Sequence, residues 1–203
     1  MPHLLGVTGN IACGKSTIGA MLLQLGADIY IDADLIVHEL YVPGAETYTS
    51  VIEQFGNDII AADGAIDRKK LGAIVFADSQ KLALLEKLTH AGVEQEISRR
   101  ISALRDDQIA VVDAVKLLEG GLAHVCEAIW LITCDPSVEI DRLIQIRGFT
   151  QQEAAQRIAA QPDRSSQVSL VDVVIDNSGD LTATRKQVED GWRNFLNRIG
   201  SVS

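Results

Sequence analysis

The sequence predicts an α/β fold of three layers, with a central parallel β-sheet between helices. Short, wholly apolar runs alternate with longer stretches of helical periodicity, the pattern of a parallel sheet buried on both faces. The first apolar run breaks into a glycine-rich loop and then a helix. At 203 residues, 47% of them hydrophobic and 23% charged, the chain can bury one large core without a disulfide or metal staple.

Leu4 to Thr8 reads as a buried strand running into Gly9–Gly14. A helix is predicted from about Lys15 to Leu25, where Ile18, Met21, Leu22 and Leu25 recur at helical spacing and Gly26 supplies the stop. Ala27 to Ile31 is a second strand; Asp32 to Leu40 turns helical and is punctuated by Pro43-Gly44. From Ala45 to about Arg105 no convincing strand occurs. Helices are predicted at Glu46–Phe55, at Lys69–Phe76 and from Gln80 to about Leu104, with a turn at Asp63-Gly64. Strand signals return at Gln108–Val112, Ala128–Thr133 and Val173–Ile175. Helices are predicted at about Pro136–Arg147, Gln151–Ala160 and Leu181–Ile199. The expected organisation is one domain over 1–203, with a helical insertion at about 33–105 and a second helical segment at about 136–165.

Eighteen Lys and Arg stand against 28 Asp and Glu, a net charge of −10, so a basic duplex-binding face is not expected. Aromatic residues make up 4%, too few for base-stacking platforms. No nucleic-acid partner is expected. The longest apolar run, Ala128 to Cys134, is too short to span a bilayer, and no signal-peptide pattern is read, so no membrane partner is expected either. Three cysteines without a C-x-x-C spacing fit a reducing cytoplasm. The four histidines show no metal-ligand spacing; His38 and His90 are read as surface or core residues that could meet substrate.

Gly9-Asn10-Ile11-Ala12-Cys13-Gly14-Lys15-Ser16 fits G-x-x-x-x-G-K-[ST], with a strand before it and a helix after. Such a loop turns backbone N–H groups toward phosphate oxygens and sets a helix N-terminus beneath them. The expected ATP contacts come from Gly9, Ile11, Ala12, Cys13, Gly14, Lys15, Ser16 and Thr17. Lys15 is assigned to the β- and γ-phosphates, and Ser16 to Mg²⁺. Cys13, beside Lys15 and the helix N-terminus, is expected to have a stabilised thiolate and to react before Cys126 and Cys134.

Ligands of open α/β sheets gather beyond the carboxyl ends of the strands. Asp32 follows the second strand, and Asp113 follows an apolar run in the Walker B pattern. Asp32-Ala33-Asp34 lies where a general base belongs; Asp32 is favoured for that role, and one of the pair is expected to cap the helix that begins there. Asp113 is assigned to Mg²⁺. Lys116, just past Asp113, and Arg68 are candidates for an anionic group.

Asp135-Pro136 reads as a helix start, Gly148 as its stop, and Thr150-x-x-Glu153 as a capping box. Arg142, Arg147, Arg157 and Arg164 populate this segment, which is read as a lid that excludes water and neutralises charge.

Further blocks complete the pattern. They are Gly6-Val7-Thr8-Gly9, Ile31-Asp32-Ala33-Asp34, Asp63-Gly64-Ala65-Ile66-Asp67-Arg68-x-x-Leu71 and Val75-Phe76-x-Asp78. Leu85-Glu86-x-Leu88-Thr89-His90, Arg142-Leu143, Arg147-Gly148, Arg157-Ile158-x-x-Gln161 and Asp176-Asn177-x-Gly179 follow. In this order they resemble the dephospho-coenzyme A kinase family, P-loop kinases of the adenylate-kinase type, over almost the whole chain. The resemblance implies a three-layer P-loop kinase fold with a helical acceptor-binding insertion and a helical lid. It implies transfer of a phosphoryl group from ATP, with Mg²⁺, to the ribose 3′-hydroxyl of dephospho-CoA, the last step of coenzyme A synthesis. Carried over, Asp32 is the base with Lys15 and Arg142 as catalytic partners. Thr8, Arg68 and His90 border the acceptor; Arg142 and Arg147 belong to the lid; Asn177 and Gly179 lie near adenine. Asp34 and Lys116, read from their places at the strand ends and not from the resemblance, are added to the acceptor side. The chain departs from the family pattern at Ala91, at Val115-Lys116 and at Gln167, around the acceptor wall and the lid hinge. A kinase for a nucleoside monophosphate or another small alcohol, and a nucleotide-binding switch without acceptor chemistry, are the alternatives.

Overall fold

The computed structural model describes residues 1–75, 77–159, 161 and 164–200; the side chains of Arg147, Arg164 and Ser165 lie outside that description. The chain divides into two compact units, one made of Met1–Ile31 with Leu104–Ser203 and the other of Asp32–Ala103.

In the first unit, β1 (His3–Gly9) leads into α1 (Lys15–Leu25), which ends at Gly26 in the left-handed conformation. β2 spans Ile29–Asp32, its last residue opening the second unit. The second unit is helical, as its lack of strand patterning implied: α2 (Ala33–Leu40), α3 (Glu46–Phe55), α4 (Arg68–Val75) and α5 (Ser79–Ser102). The first unit resumes with β3 (Ile109–Asp113), β4 (Ala128–Thr133), α6 (Pro136–Arg147), α7 (Gln151–Ala159) and α8 (Arg164–Gln167). It ends with β5 (Val173–Asp176) and α9 (Leu181–Gly200).

The five strands form one parallel sheet in the order β2-β3-β1-β4-β5, with helices on both sides. Register follows the apolar pattern. Leu5 and Val7 of β1, Val111 of β3 and Trp130 and Ile132 of β4 share one face, where they meet Ile18 and Leu22 of α1 and Val188, Trp192 and Phe195 of α9. Leu4, Gly6 and Thr8 alternate onto the other face, as the two-residue period of a strand requires. There Gly6 is covered by Leu117, whose Cδ2 would lie 2.6 Å from a Cβ at that position. Central strands buried on both sides explain why the sequence shows runs rather than alternation. A separate cluster of Tyr41, Val51, Ile59, Ile66, Leu71 and Val75 forms the core of the second unit.

Differences from the sequence reading are local. Around Asp63-Gly64 the chain makes an isolated antiparallel bridge, Ile60 to Ile66, beyond the expected turn. Asp135 sits at the N-cap of α6, but its side chain makes no capping bond. The Thr150–Glu153 box is complete: Glu153 Oε2 accepts from the Thr150 amide at 2.9 Å, and the Glu153 amide donates to Thr150 Oγ1 at 3.3 Å. The Thr150 amide and hydroxyl, both donating to Glu153 Oε2, hold the Glu153 carboxyl below its ordinary value. The expected helix end at Ala160, Phe76 of the Val75-Phe76 block and the Arg147 and Arg164 side chains of the lid fall outside the described residues.

Candidate active site at the phosphate loop

The loop between β1 and α1 is held by its own geometry and by clamps from later in the chain. Gly14 caps α1 at φ 97°, and a Cβ there would run into the side-chain amide of Asn177, so only glycine fits on both counts. Ala12 also lies at positive φ, 60°, a conformation that costs an L-residue about 1 kcal/mol and persists only where surroundings impose it. The surroundings are Arg142 and Asn177. Arg142 Nη1 donates to the carbonyls of Ala12 (3.1 Å) and Cys13 (3.3 Å), and its Nη2 donates to the Asn177 carbonyl (2.9 Å). Asn177 Nδ2 donates to the Cys13 carbonyl at 2.8 Å, and its Oδ1 accepts from Thr184 at 3.1 Å. With the loop carbonyls tied back in this way, α1 presents its N-terminus as an anion site.

Asn177 is buried and its side chain is bonded to Cys13 and Thr184, so it braces the loop; Gly179 lies exposed two residues further on. Arg142 of α6 likewise reaches the loop backbone. Arg157 stacks over the Phe149 ring at 4.3 Å, which accounts for it structurally.

Lys15 Nζ donates to the Gly9 carbonyl at 3.0 Å and lies 4.0 Å from Asp113 Oδ1. Asp113 is 4% exposed, and its Oδ2 accepts from the Tyr30 hydroxyl. Ser16 and Thr17 are exposed on the first turn of α1. Ile11 donates its amide to Gln161 Oε1 at 3.2 Å. The oxygen donors present, the Ser16 hydroxyl and the Asp113 carboxylate, fit Mg²⁺, which takes few protein ligands and completes its shell with phosphates and water. Among the described residues no group of three or more His, Cys, Asp or Glu forms a metal cage of its own.

The Cys13 expectation fails. Its side chain turns down into the core and is fully buried, and desolvation pushes the thiol up to about 11 despite the opposing pull of Lys15. Cys126 is half-buried, with its thiol pushed up to about 12 by desolvation. Thr8 also departs from its assignment: it is fully buried and its hydroxyl donates to the Val115 carbonyl at 3.1 Å, so it lines no acceptor surface. Lys116, in the turn after β3, is exposed.

In the second unit, Asp32 itself is the cap of α2: its Oδ1 accepts from the amides of Asp34 (2.8 Å) and Leu35 (3.1 Å). Asp34 lies exposed in the first turn. Arg68 Nη1 stands 2.8 Å from His38 Nε2, and exposed His90 lies 3.9 Å from Glu94 on α5.

Sequence reasoning missed Tyr30 and Thr184, and met Gln161 only as part of a motif. Nothing in the spacing marked them: Tyr30 and Gln161 act on residues 83 and 150 positions away, and Thr184 matters only through Asn177, whose own target lies in the distant loop.

A profile of the family described as dephospho-CoA kinase matches residues 3–183. The chain belongs to the dephospho-CoA kinase family. It is 38% identical over 193 residues to a dephospho-CoA kinase of Streptomyces avermitilis, covering 95% of this chain and 94% of that one. It is 41% identical over 187 residues to a dephospho-CoA kinase of Carboxydothermus hydrogenoformans, covering 91% and 90%. The structure of a dephospho-CoA kinase from Campylobacter jejuni superposes with a TM-score of 0.70 at 24% identity, over 95% of this chain and 96% of that one, and shares the fold. Membership in this family makes the chain a P-loop kinase and an enzyme that uses ATP. Among the described residues no helix is long and apolar enough to cross a membrane.

Proposed function

We propose that this chain transfers the γ-phosphoryl group of ATP to the ribose 3′-hydroxyl of dephospho-CoA, giving CoA and ADP. The observation that carries the reading is a braced phosphate loop, with Lys15 beside a buried Asp113, in a chain that matches dephospho-CoA kinases over nearly its full length. In this reading the loop amides and Lys15 bind the ATP phosphates, and Arg142 and Asn177 keep the loop in its binding shape. Ser16 and Asp113 would hold Mg²⁺, which would supply neutralisation of charge on the phosphates. Asp32 takes the proton of the acceptor hydroxyl through Oδ2, since Oδ1 is engaged in the cap. The helical region of about 33–105, with Asp34, Arg68 and His90, receives the acceptor, and Lys116 adds positive charge. The segment of about 136–165, including Arg147, closes over ATP. In this reading the enzyme works in the reducing cytoplasm, which suits its three free cysteines.

The test is ADP release from ATP and Mg²⁺, measured with and without dephospho-CoA, with the CoA product identified by mass. Dephospho-CoA is expected to stimulate release by orders of magnitude. Acceptor-independent release, or none at all from folded protein, would reject the reading.

A further inference from the structure

Tyr30 has no part in the reading above, yet it touches its central carboxylate. It lies on β2, two residues before Asp32, and its hydroxyl donates to Asp113 Oδ2. The ring rests against α1 at Gly19: a Cβ there would come within 2.6 Å of Tyr30 Cδ2. Gly19 follows Lys15 by four residues, so both lie on one face of α1. That face sends Lys15 Nζ toward Asp113 Oδ1, at 4.0 Å, and leaves room for the ring that reaches Oδ2. The two carboxylate oxygens are thus addressed from opposite partners, one a cation in the phosphate loop and one a neutral donor outside it.

We propose that Tyr30 is a positioning residue for Asp113. By holding Oδ2, its hydroxyl fixes the carboxylate plane and turns Oδ1 toward Lys15 and the nucleotide phosphates. The proposal rests on the assignment of Asp113 to the Mg²⁺ side of the site. Outer partners of this kind orient a metal-side carboxylate, and their loss typically weakens metal binding by about 10–100-fold.

The experiment measures ATP affinity by calorimetry, without acceptor, in the presence and absence of Mg²⁺. It compares the whole wild-type chain with Tyr30→Phe, Gly19→Ala, the double variant and Asp113→Asn. Tyr30→Phe is expected to leave Mg²⁺-free affinity unchanged and to lose about 10-fold of the tightening that Mg²⁺ confers. Gly19→Ala, which displaces the ring from another element, is expected to do the same, and the double variant to be no worse than either. A merely structural role would lower the melting temperature without touching the Mg²⁺-linked difference. Wild-type tightening in folded Tyr30→Phe overturns the proposal; should that variant not fold, Gly19→Ala decides in its place. If Asp113→Asn also keeps the full Mg²⁺ effect, the assignment of Asp113 is what fails. If Asp113→Asn loses it while Tyr30→Phe does not, only the role of Tyr30 fails.

Discussion

Replacing Asp32 by Asn leaves an oxygen in place to accept the amides of Asp34 and Leu35, and Asn caps helices as well as Asp does. The variant is therefore expected to keep the wild-type melting temperature and ATP affinity. It cannot take a proton, so kcat should fall by about 10²–10⁴-fold. Steady-state kinetics with ATP titrations check this, and a collapse of ATP affinity would place Asp32 elsewhere in the mechanism. Cys13 makes a second case in which environment outranks residue type. Reactivity needs both thiolate and access, and full burial removes both. Limited alkylation of the native protein, mapped by peptide mass, is expected to leave Cys13 unmodified and to label the half-buried Cys126 first. Label on Cys13 ahead of Cys126 would contradict the buried orientation.

At the scale of elements, the phosphate loop is shaped by β5 and α9 as much as by its own glycines. Asn177→Ala removes the donor to the Cys13 carbonyl and the acceptor of Thr184 inside a buried setting. The Cys13 carbonyl keeps Arg142 and the Thr184 hydroxyl keeps the Asp180 carbonyl, so the loss is that of two buried hydrogen bonds, about 1–3 kcal/mol. The expected result is a lower melting temperature together with weaker ATP binding, read by thermal denaturation and calorimetry. Helix α5 offers a test of charge. Glu96 accepts from Arg99 Nε at 2.7 Å and from Arg100 Nε at 2.8 Å, and these bonds lower its carboxyl to about 2 from an ordinary 4.5. A lowered folded-state value adds stability above pH 4.5 that is lost as pH falls toward 2. Discounted for solvent screening, the contribution is on the order of 1 kcal/mol. Glu96→Gln should therefore destabilise the protein at pH 7 and lose that deficit by about pH 2, as followed by denaturant melts across the range.

For the whole molecule, the proposed reading assigns ATP to the sheet unit and the acceptor to the helical unit. The nucleotide loop lies in the first unit, while Arg68 and His90 belong to the second. The departures from the family pattern at Ala91 and Val115-Lys116 leave the phosphate loop untouched. Dephospho-CoA is accordingly expected to remain the best acceptor, ahead of AMP, CMP and adenosine, when kcat/KM is compared across the set. A nucleoside monophosphate ahead by about tenfold, roughly 1.4 kcal/mol of transition-state binding, would reassign the acceptor.

The sequence by itself determined the layered α/β class, the order of its strands and long helices, and the place of the phosphate loop. These are local properties: apolar runs, helical spacing and glycine positions act within a few residues and survive in the linear text. Thr150 and Glu153 were legible for the same reason, since a capping box is written within one turn. Tertiary structure decided what each side chain in the site faces. It buried Cys13 and Thr8, turned Asn177 and Arg142 into clamps on a loop more than a hundred residues away, and brought Tyr30 to Asp113. Such pairings depend on strand order and on the one-residue alternation that sends neighbours to opposite faces of the sheet. A motif records which residues are present; burial and hydrogen-bond partners, which set their chemistry, arise only when distant segments share a core.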